Sequence, residues 1–234
     1  WIARQWRYVD LSEWTLRVIP ALAGLALVMV SFAIGRLAAA LFTVVSPILV
    51  YYSRYYIPEM LLVLFSAGLI LCLVEYQKSP GFRWALAGGA CAGLMFATKE
   101  TAVLVFVASA AACIAARYRF RPTDLGILAI VAVLTAAALL RSNSGEAVQS
   151  LAIYAGRASS GGRQAHPWFY YVDALTPAGD AFWLLAGVAA FAVLARRQRI
   201  AVFLGTHAAV LTLLYSASAY KTPWCASGMT HAWI

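Results

Sequence analysis

Charge is what this chain has least of. Charged residues make up 12% of it, where a soluble domain carries about 25%, while apolar residues reach 63% and the mean hydropathy is +0.79. That excludes a soluble globular domain, which needs more polar surface to stay dissolved. Cysteine and histidine are scarce as well. The four cysteines, Cys72, Cys91, Cys113 and Cys225, fall in or beside apolar runs with no CxxC pair. Spacing therefore gives neither a thiolate metal site nor a disulfide framework, and they read as small packing residues. Alternation of apolar with polar residues is missing, which removes a β-barrel. The net charge of +9 does not bring in nucleic acid as a partner, because the basic residues sit in short gaps between apolar runs.

What is present is a series of long apolar runs. A helix needs about 20 apolar residues to cross about 30 Å of hydrocarbon. The runs are Thr15–Gly35, Leu37–Tyr52, Ile57–Tyr76, Phe82–Ala97, Thr101–Ala116, Leu125–Leu140, Ala181–Ala195 and Ile200–Ala217, and a further one begins near Trp224. They predict an all-α integral membrane protein, a polytopic bundle of eight or nine transmembrane helices forming one transmembrane domain over 1–234. The chain opens at Trp1 without Met and closes at Ile234 inside an apolar run, so the expectation is a fragment of a longer chain. Counting spans places Arg36, Lys78, Arg83, Arg117, Arg119, Arg121, Arg196, Arg197 and Arg199 on one side, in short connections that hold only Glu75 and Asp124 as acids. By the positive-inside rule that side is cytoplasmic. The glycine pair Gly89 and Gly93 reads as close helix packing.

On the opposite side four separated pieces reach one level of the membrane. They are Ser46-Pro47 through Tyr51-Tyr52-Ser53-Arg54-Tyr55-Tyr56-Ile57-Pro58-Glu59, the turn Thr98-Lys99-Glu100-Thr101, the stretch His166–Tyr171, and Tyr220-Lys221-Thr222-Pro223-Trp224. The third belongs to a long extracytoplasmic loop, 141–180, rich in Gly, Ser, Arg and aromatics; loops beyond about 12–15 residues are usually functional or disordered. Its Gly161-Gly162-Arg163 precedes the aromatic run. Each charge has an ordinary reading: Arg54 snorkels to headgroups, and Lys99 pairs with Glu100 at the interface. Together, Arg54, Lys99 and Lys221 with Glu59 and Glu100, interleaved with tyrosines, form the ionic set a lipid phosphate needs, since buried phosphate oxygens demand charge-assisted donors. Glu59, Glu100 and His166 are candidate acid–base groups or ligands of a divalent cation, and Tyr55, Tyr170 and Tyr171 are candidate walls for a sugar or an isoprenoid. One histidine with scattered carboxylates is not a diagnostic metal set.

Ser46-Pro47…Tyr52-Ser53-Arg54-Tyr55, followed by Gly93-Leu94…Ala97-Thr98-Lys99-Glu100-Thr101, resembles the GT-C superfamily of membrane glycosyltransferases, among them the protein mannosyltransferases and aminoarabinose transferases. His166-Pro167-Trp168-Phe169-Tyr170-Tyr171 and Tyr220-Lys221-Thr222-Pro223-Trp224 resemble a prokaryotic, flippase-associated subgroup. The resemblance implies a GT-C-like fold in a prokaryotic plasma (inner) membrane with its active face extracytoplasmic. It further implies transfer of a sugar from a polyprenyl-phosphate donor to a protein or lipid acceptor, with Arg54, Lys99 and Lys221 binding substrate. The family's acidic base stands in its first outer loop, and Asp10 and Glu13 are poor substitutes for it, so the expected acid lies before Trp1. At position 59 this chain has Glu where relatives more often have Asp. The rival expectation is a non-catalytic subunit that keeps this scaffold and packs with other subunits of a membrane complex.

Overall fold

The computed structural model describes residues 12–141, 144–160, 164–176, 179, 181–195 and 198–234. Asp10, the Gly161-Gly162-Arg163 run, Arg196 and Arg197 lie outside the described residues. The molecule is all-helical: α1 (Glu13–Val45), α2 (Pro47–Tyr52), α3 (Glu59–Lys78), α4 (Phe82–Thr98), α5 (Ala102–Ala115), α6 (Pro122–Leu140), α7 (Ser144–Ser160), α8 (Tyr170–Leu175), α9 (Ala181–Leu194), α10 (Arg199–Ala217) and α11 (Ala226–Trp233), with a 3-10 turn at Pro223–Cys225. Among the described residues the extended pairing is a single antiparallel bridge, Ala165 with Tyr220.

Four helices, α1, α3, α6 and α10, are long and apolar enough to cross a membrane, and Ala102–Ala115 and Leu184–Leu194 are shorter apolar helices. The boundary expected between the first two runs is a break inside α1, where Gly35 and Arg36 leave helical geometry and Arg36 takes φ 60. The second run breaks again at Ser46, because Pro47 cannot continue a helix but starts α2 well. The stretch 141–180, expected as a loop, carries α7 and α8.

Small residues set how the helices approach. A Cβ at Gly89 would lie 2.6 Å from the Leu128 carbonyl oxygen, and one at Gly93 would lie 2.5 Å from that of Ala132, so α4 and α6 run side by side in parallel at backbone contact. Gly68 faces the Cys91 sulfur and Gly88 faces the Cys72 Cβ, which makes α3 and α4 an antiparallel pair. Tyr118 stacks on Phe203 at 4.9 Å and Ser109 meets His207 Nδ1 at 3.3 Å, so α5 and α10 are antiparallel too. Outward faces carry Leu25, Leu134 and Leu185, all exposed, as a helix facing acyl chains requires.

This alternation gives the bundle two chemically distinct ends. At one end, the connections after α3 and before α6 are tied by Tyr76, Gln77, Arg119 and Asp124. At the other lie the start of α3, the α4–α5 turn, α7, α8 and the segment between α10 and α11.

Candidate functional site

Glu59 opens α3 directly after Pro58, and Lys99 caps α4 in extended geometry, its N–H bonded to the Met95 carbonyl at 3.1 Å. The chain then turns sharply into α5, with Ala102 N–H on the Lys99 carbonyl at 3.1 Å. A negative charge at the start of one helix and a positive charge at the end of its antiparallel neighbour both complement the helix dipoles. The two side chains meet as a buried ion pair, Lys99 Nζ donating to Glu59 Oε1. Burial alone would lower the Lys99 ammonium. The Glu59 carboxylate against it acts the other way, and the net shift is upward, so Lys99 stays a cation.

Two cavities meet at this pair. A chamber of about 250 Å³ is lined by Glu59, Lys99, Glu100 and Thr101 together with Tyr154 of α7, Tyr215 of α10, Tyr220, Trp224 and Cys225. A larger groove of about 650 Å³ runs along Leu61, Phe65, Leu94, Phe96, Leu139 and Leu140 to Ile19 and Pro20. Ile57, Pro58, Lys99 and Glu100 line both. The chamber's walls are mostly ionic and aromatic side chains, the groove's mostly aliphatic ones with Tyr56, Thr98 and Ser150 among them, and Lys99 with Glu100 forms their shared sill.

The residues singled out in the sequence divide accordingly. Glu59, Lys99 and Glu100 come together, and among the described residues the Glu100 carboxylate has no hydrogen-bond or ion-pair partner. Arg54 and Tyr55 are exposed and line neither cavity; Tyr55 stacks on Tyr51 at 5.2 Å. Lys221 is buried (2% exposed) and lines neither; its ammonium donates to the Ser218 carbonyl at 2.5 Å and the His166 carbonyl at 3.1 Å, and burial pushes its pKa down. His166 stacks on Tyr170 at 4.1 Å, Tyr170 meets Tyr171 edge-on at 5.3 Å, and Tyr171 meets Tyr215 at 6.3 Å. These three therefore stand behind the Tyr215 wall of the chamber. Burial pushes the Tyr170 and Tyr171 phenols up.

Residues that sequence reasoning passed over are Thr101, Tyr154, Tyr215 and Cys225 as chamber walls and Tyr56 at the groove. Thr101 Oγ1 and Tyr171 OH are buried with no hydrogen-bond partner among the described residues. Cys225 Sγ sits 3.1 Å from Thr222 Oγ1, so the packing role expected of it holds at the chamber edge. Among the described residues no three His, Cys, Asp or Glu side chains gather as a metal-ligand set.

The fold has a solved counterpart. The fold is similar to that of ArnT from Cupriavidus metallidurans, whose crystal structure holds undecaprenyl phosphate; the TM-score is 0.76 at 17% identity, over 97% of this chain and 46% of that one. The chain thus spans about half the length of that protein. No curated protein matches it. Residues 1–141, well over half of 234, match the sequence profile of dolichyl-phosphate-mannose-protein mannosyltransferase, and the chain belongs to that family of GT-C membrane glycosyltransferases.

Proposed function

We propose that this chain serves a membrane glycosyltransferase that moves a sugar from a polyprenyl-phosphate donor to a protein or lipid acceptor on the extracytoplasmic face. One observation carries the reading: a groove walled mostly by aliphatic side chains and a chamber walled mostly by aromatic and ionic ones share a sill made by Lys99 and Glu100. A polyprenyl-phosphate sugar has the matching order of parts, a long apolar chain, a charged junction and a polar ring. The fold counterpart's undecaprenyl phosphate supports the same class of donor. Arg36, Lys78, Arg83, Arg117, Arg119 and Arg121 lie at the end away from this sill, which supports an extracytoplasmic site by the positive-inside rule.

In this reading the acceptor oxygen attacks the anomeric carbon. The bond from that carbon to the phosphate oxygen breaks, and polyprenyl phosphate leaves with the electron pair. Lys99 neutralises the charge that builds on the leaving oxygen, where a fixed donor in a dry site is worth most. Glu59 holds the ammonium at the sill. Glu100, unpaired and in both cavities, is the carboxylate placed to take the acceptor's proton, alone or behind an acid from the family's first outer loop.

The test is transfer of labelled sugar from polyprenyl-phosphate donors in membranes containing the protein, wild type against Lys99→Ala. Loss of one such electrostatic group lowers kcat by about 10²–10³, and that loss in a folded variant is the expected result. Absence of transfer by the wild type from every donor, with stable co-purification of other membrane subunits, would instead establish the non-catalytic scaffold.

A further inference from the structure

We propose that Lys221 is a positioning residue that fastens α7 over the chamber, and that Tyr154 of α7 forms the chamber's roof. The proposal rests on reading the chamber as the place of the transferred sugar.

Lys221 is a cation buried against carbonyls, and among the described residues no carboxylate pairs with it. Such burial is costly unless the ammonium's hydrogen bonds are well made, and here they join two remote parts of the chain. Ser218 caps α10, and His166 lies on the segment that returns from α7. The backbone is joined at the same place: Ala219 N–H donates to the Ala158 carbonyl at 2.8 Å, Lys221 N–H to the Gln164 carbonyl at 3.0 Å, and His166 N–H to the Ala219 carbonyl at 3.4 Å. The end of α7 and the segment behind it therefore hang on 218–221, with the Lys221 ammonium as the charged fastener.

One turn back along α7 from Ala158, on the same helix face, stands Tyr154. It meets Tyr220 edge-on at 6.5 Å, and the Arg157 guanidinium lies 5.8 Å from the centre of the same ring. Tyr154 lines the chamber together with Lys99, Glu100 and Cys225. Burial pushes its phenol up to about 12, so the roof is an uncharged ring.

Cys225 reports on the roof without any donor. In a background where Cys72, Cys91 and Cys113 are replaced by Ala, the protein in lipid nanodiscs is treated with a small methanethiosulfonate and the rate of Cys225 labelling is measured. Lys221→Met and Tyr154→Ala each raise that rate by at least about tenfold, the shift that losing a charge-assisted hydrogen bond gives a local opening equilibrium. Lys221→Arg and Tyr154→Phe keep it near wild type. In the transfer assay Lys221→Met raises the KM for donor far more than it lowers kcat. Unchanged labelling in folded Lys221→Met overturns the fastener. If that variant does not fold, unchanged labelling in Tyr154→Ala overturns the roof. Because labelling needs no transfer, a wild type without glycosyltransferase activity leaves this result standing, and a failed roof leaves the proposed reaction standing.

Discussion

Among the described residues, each end of the bundle buries one carboxylate in the first turn of a helix, and the two are used differently. Asp124, 7% exposed, opens α6 and accepts a 2.6 Å bond from the Tyr76 hydroxyl, which in turn accepts from the Arg121 N–H at 3.1 Å. Gln77 adds bonds to both backbone groups of Arg119. The free space beside Asp124 is about 10 Å³, close to the volume one water's centre needs. Glu59, 3% exposed, opens α3 and is paired with a cation beside cavities of about 250 and 650 Å³. Both are buried; the surroundings differ. At the Asp124 end hydrogen bonds close a helix junction and leave no room for a ligand. At the Glu59 end the ionic groups border empty volume, and a cation with N–H groups to spare faces it. A buried carboxylate therefore marks a site through the space and the spare donors around it, and burial alone marks only a well-made joint.

The widest separation of the two ends comes from neutralising each carboxylate. Glu59→Gln leaves the Lys99 ammonium buried without its partner, and breaking such a pair costs about 3–5 kcal/mol. Asp124→Asn keeps a hydrogen-bond acceptor for Tyr76 and gives up only the charge-assisted part of one bond, about 1 kcal/mol. Unfolding in mixed detergent, paired with transfer activity of the folded fraction, measures both. The expected pattern is a large loss of stability and activity for Glu59→Gln, and a small loss of stability with near-normal activity for Asp124→Asn. Equal activity losses would erase the distinction between the ends.

The groove offers a second, smaller contrast. Leu94→Trp fills part of the 650 Å³ groove while leaving the chamber walls intact. Displacing even two methylenes of a donor chain from apolar contact, at about 0.8 kcal/mol each, raises KM about tenfold. A donor with a short prenyl chain that does not reach Leu94 is handled as by the wild type. A KM that changes alike for both chain lengths would place the lipid elsewhere.

How much of this the sequence shows depends on what fixes each feature. Most apolar runs became helices near their expected limits, because hydrophobic length is local; the run expected over Leu37–Tyr52 is instead cut at Pro47. That the turn Thr98–Thr101 and Glu59 share one level was legible for a related reason, since helix order alone brings the start of α3 and the end of α4 together; the ion pair expected within the turn, Lys99 with Glu100, is instead Lys99 with Glu59. Lys221 was not legible. Its residue type and its end of the membrane suit a phosphate, but its direction is set by the Ser218 and His166 carbonyls, and the second of these arrives from a segment 55 residues away. Tyr154 was hidden in the same way, since α7 is weakly apolar and lies in a stretch with the composition of a loop. Local periodicity exposes a span; a side chain aimed by a distant carbonyl leaves no such trace.

Arg54 gives the smallest expected effect and tests that last distinction. By residue type and order it is as good a phosphate ligand as Lys99, and the family resemblance favours it. The structure leaves its side chain exposed beside the Tyr51–Tyr55 stack and outside both cavities, with no ionic partner among the described residues. An exposed cation in water contributes about 0–1 kcal/mol to binding an ion, and salt screens it. Arg54→Ala should therefore change kcat/KM by less than about fivefold, with the difference vanishing at high ionic strength. A salt-independent loss as large as that of Lys99→Ala would mean that the donor draws the 51–56 segment onto its phosphate. The sill would then be only half of the phosphate site, with Arg54 supplying the rest on binding.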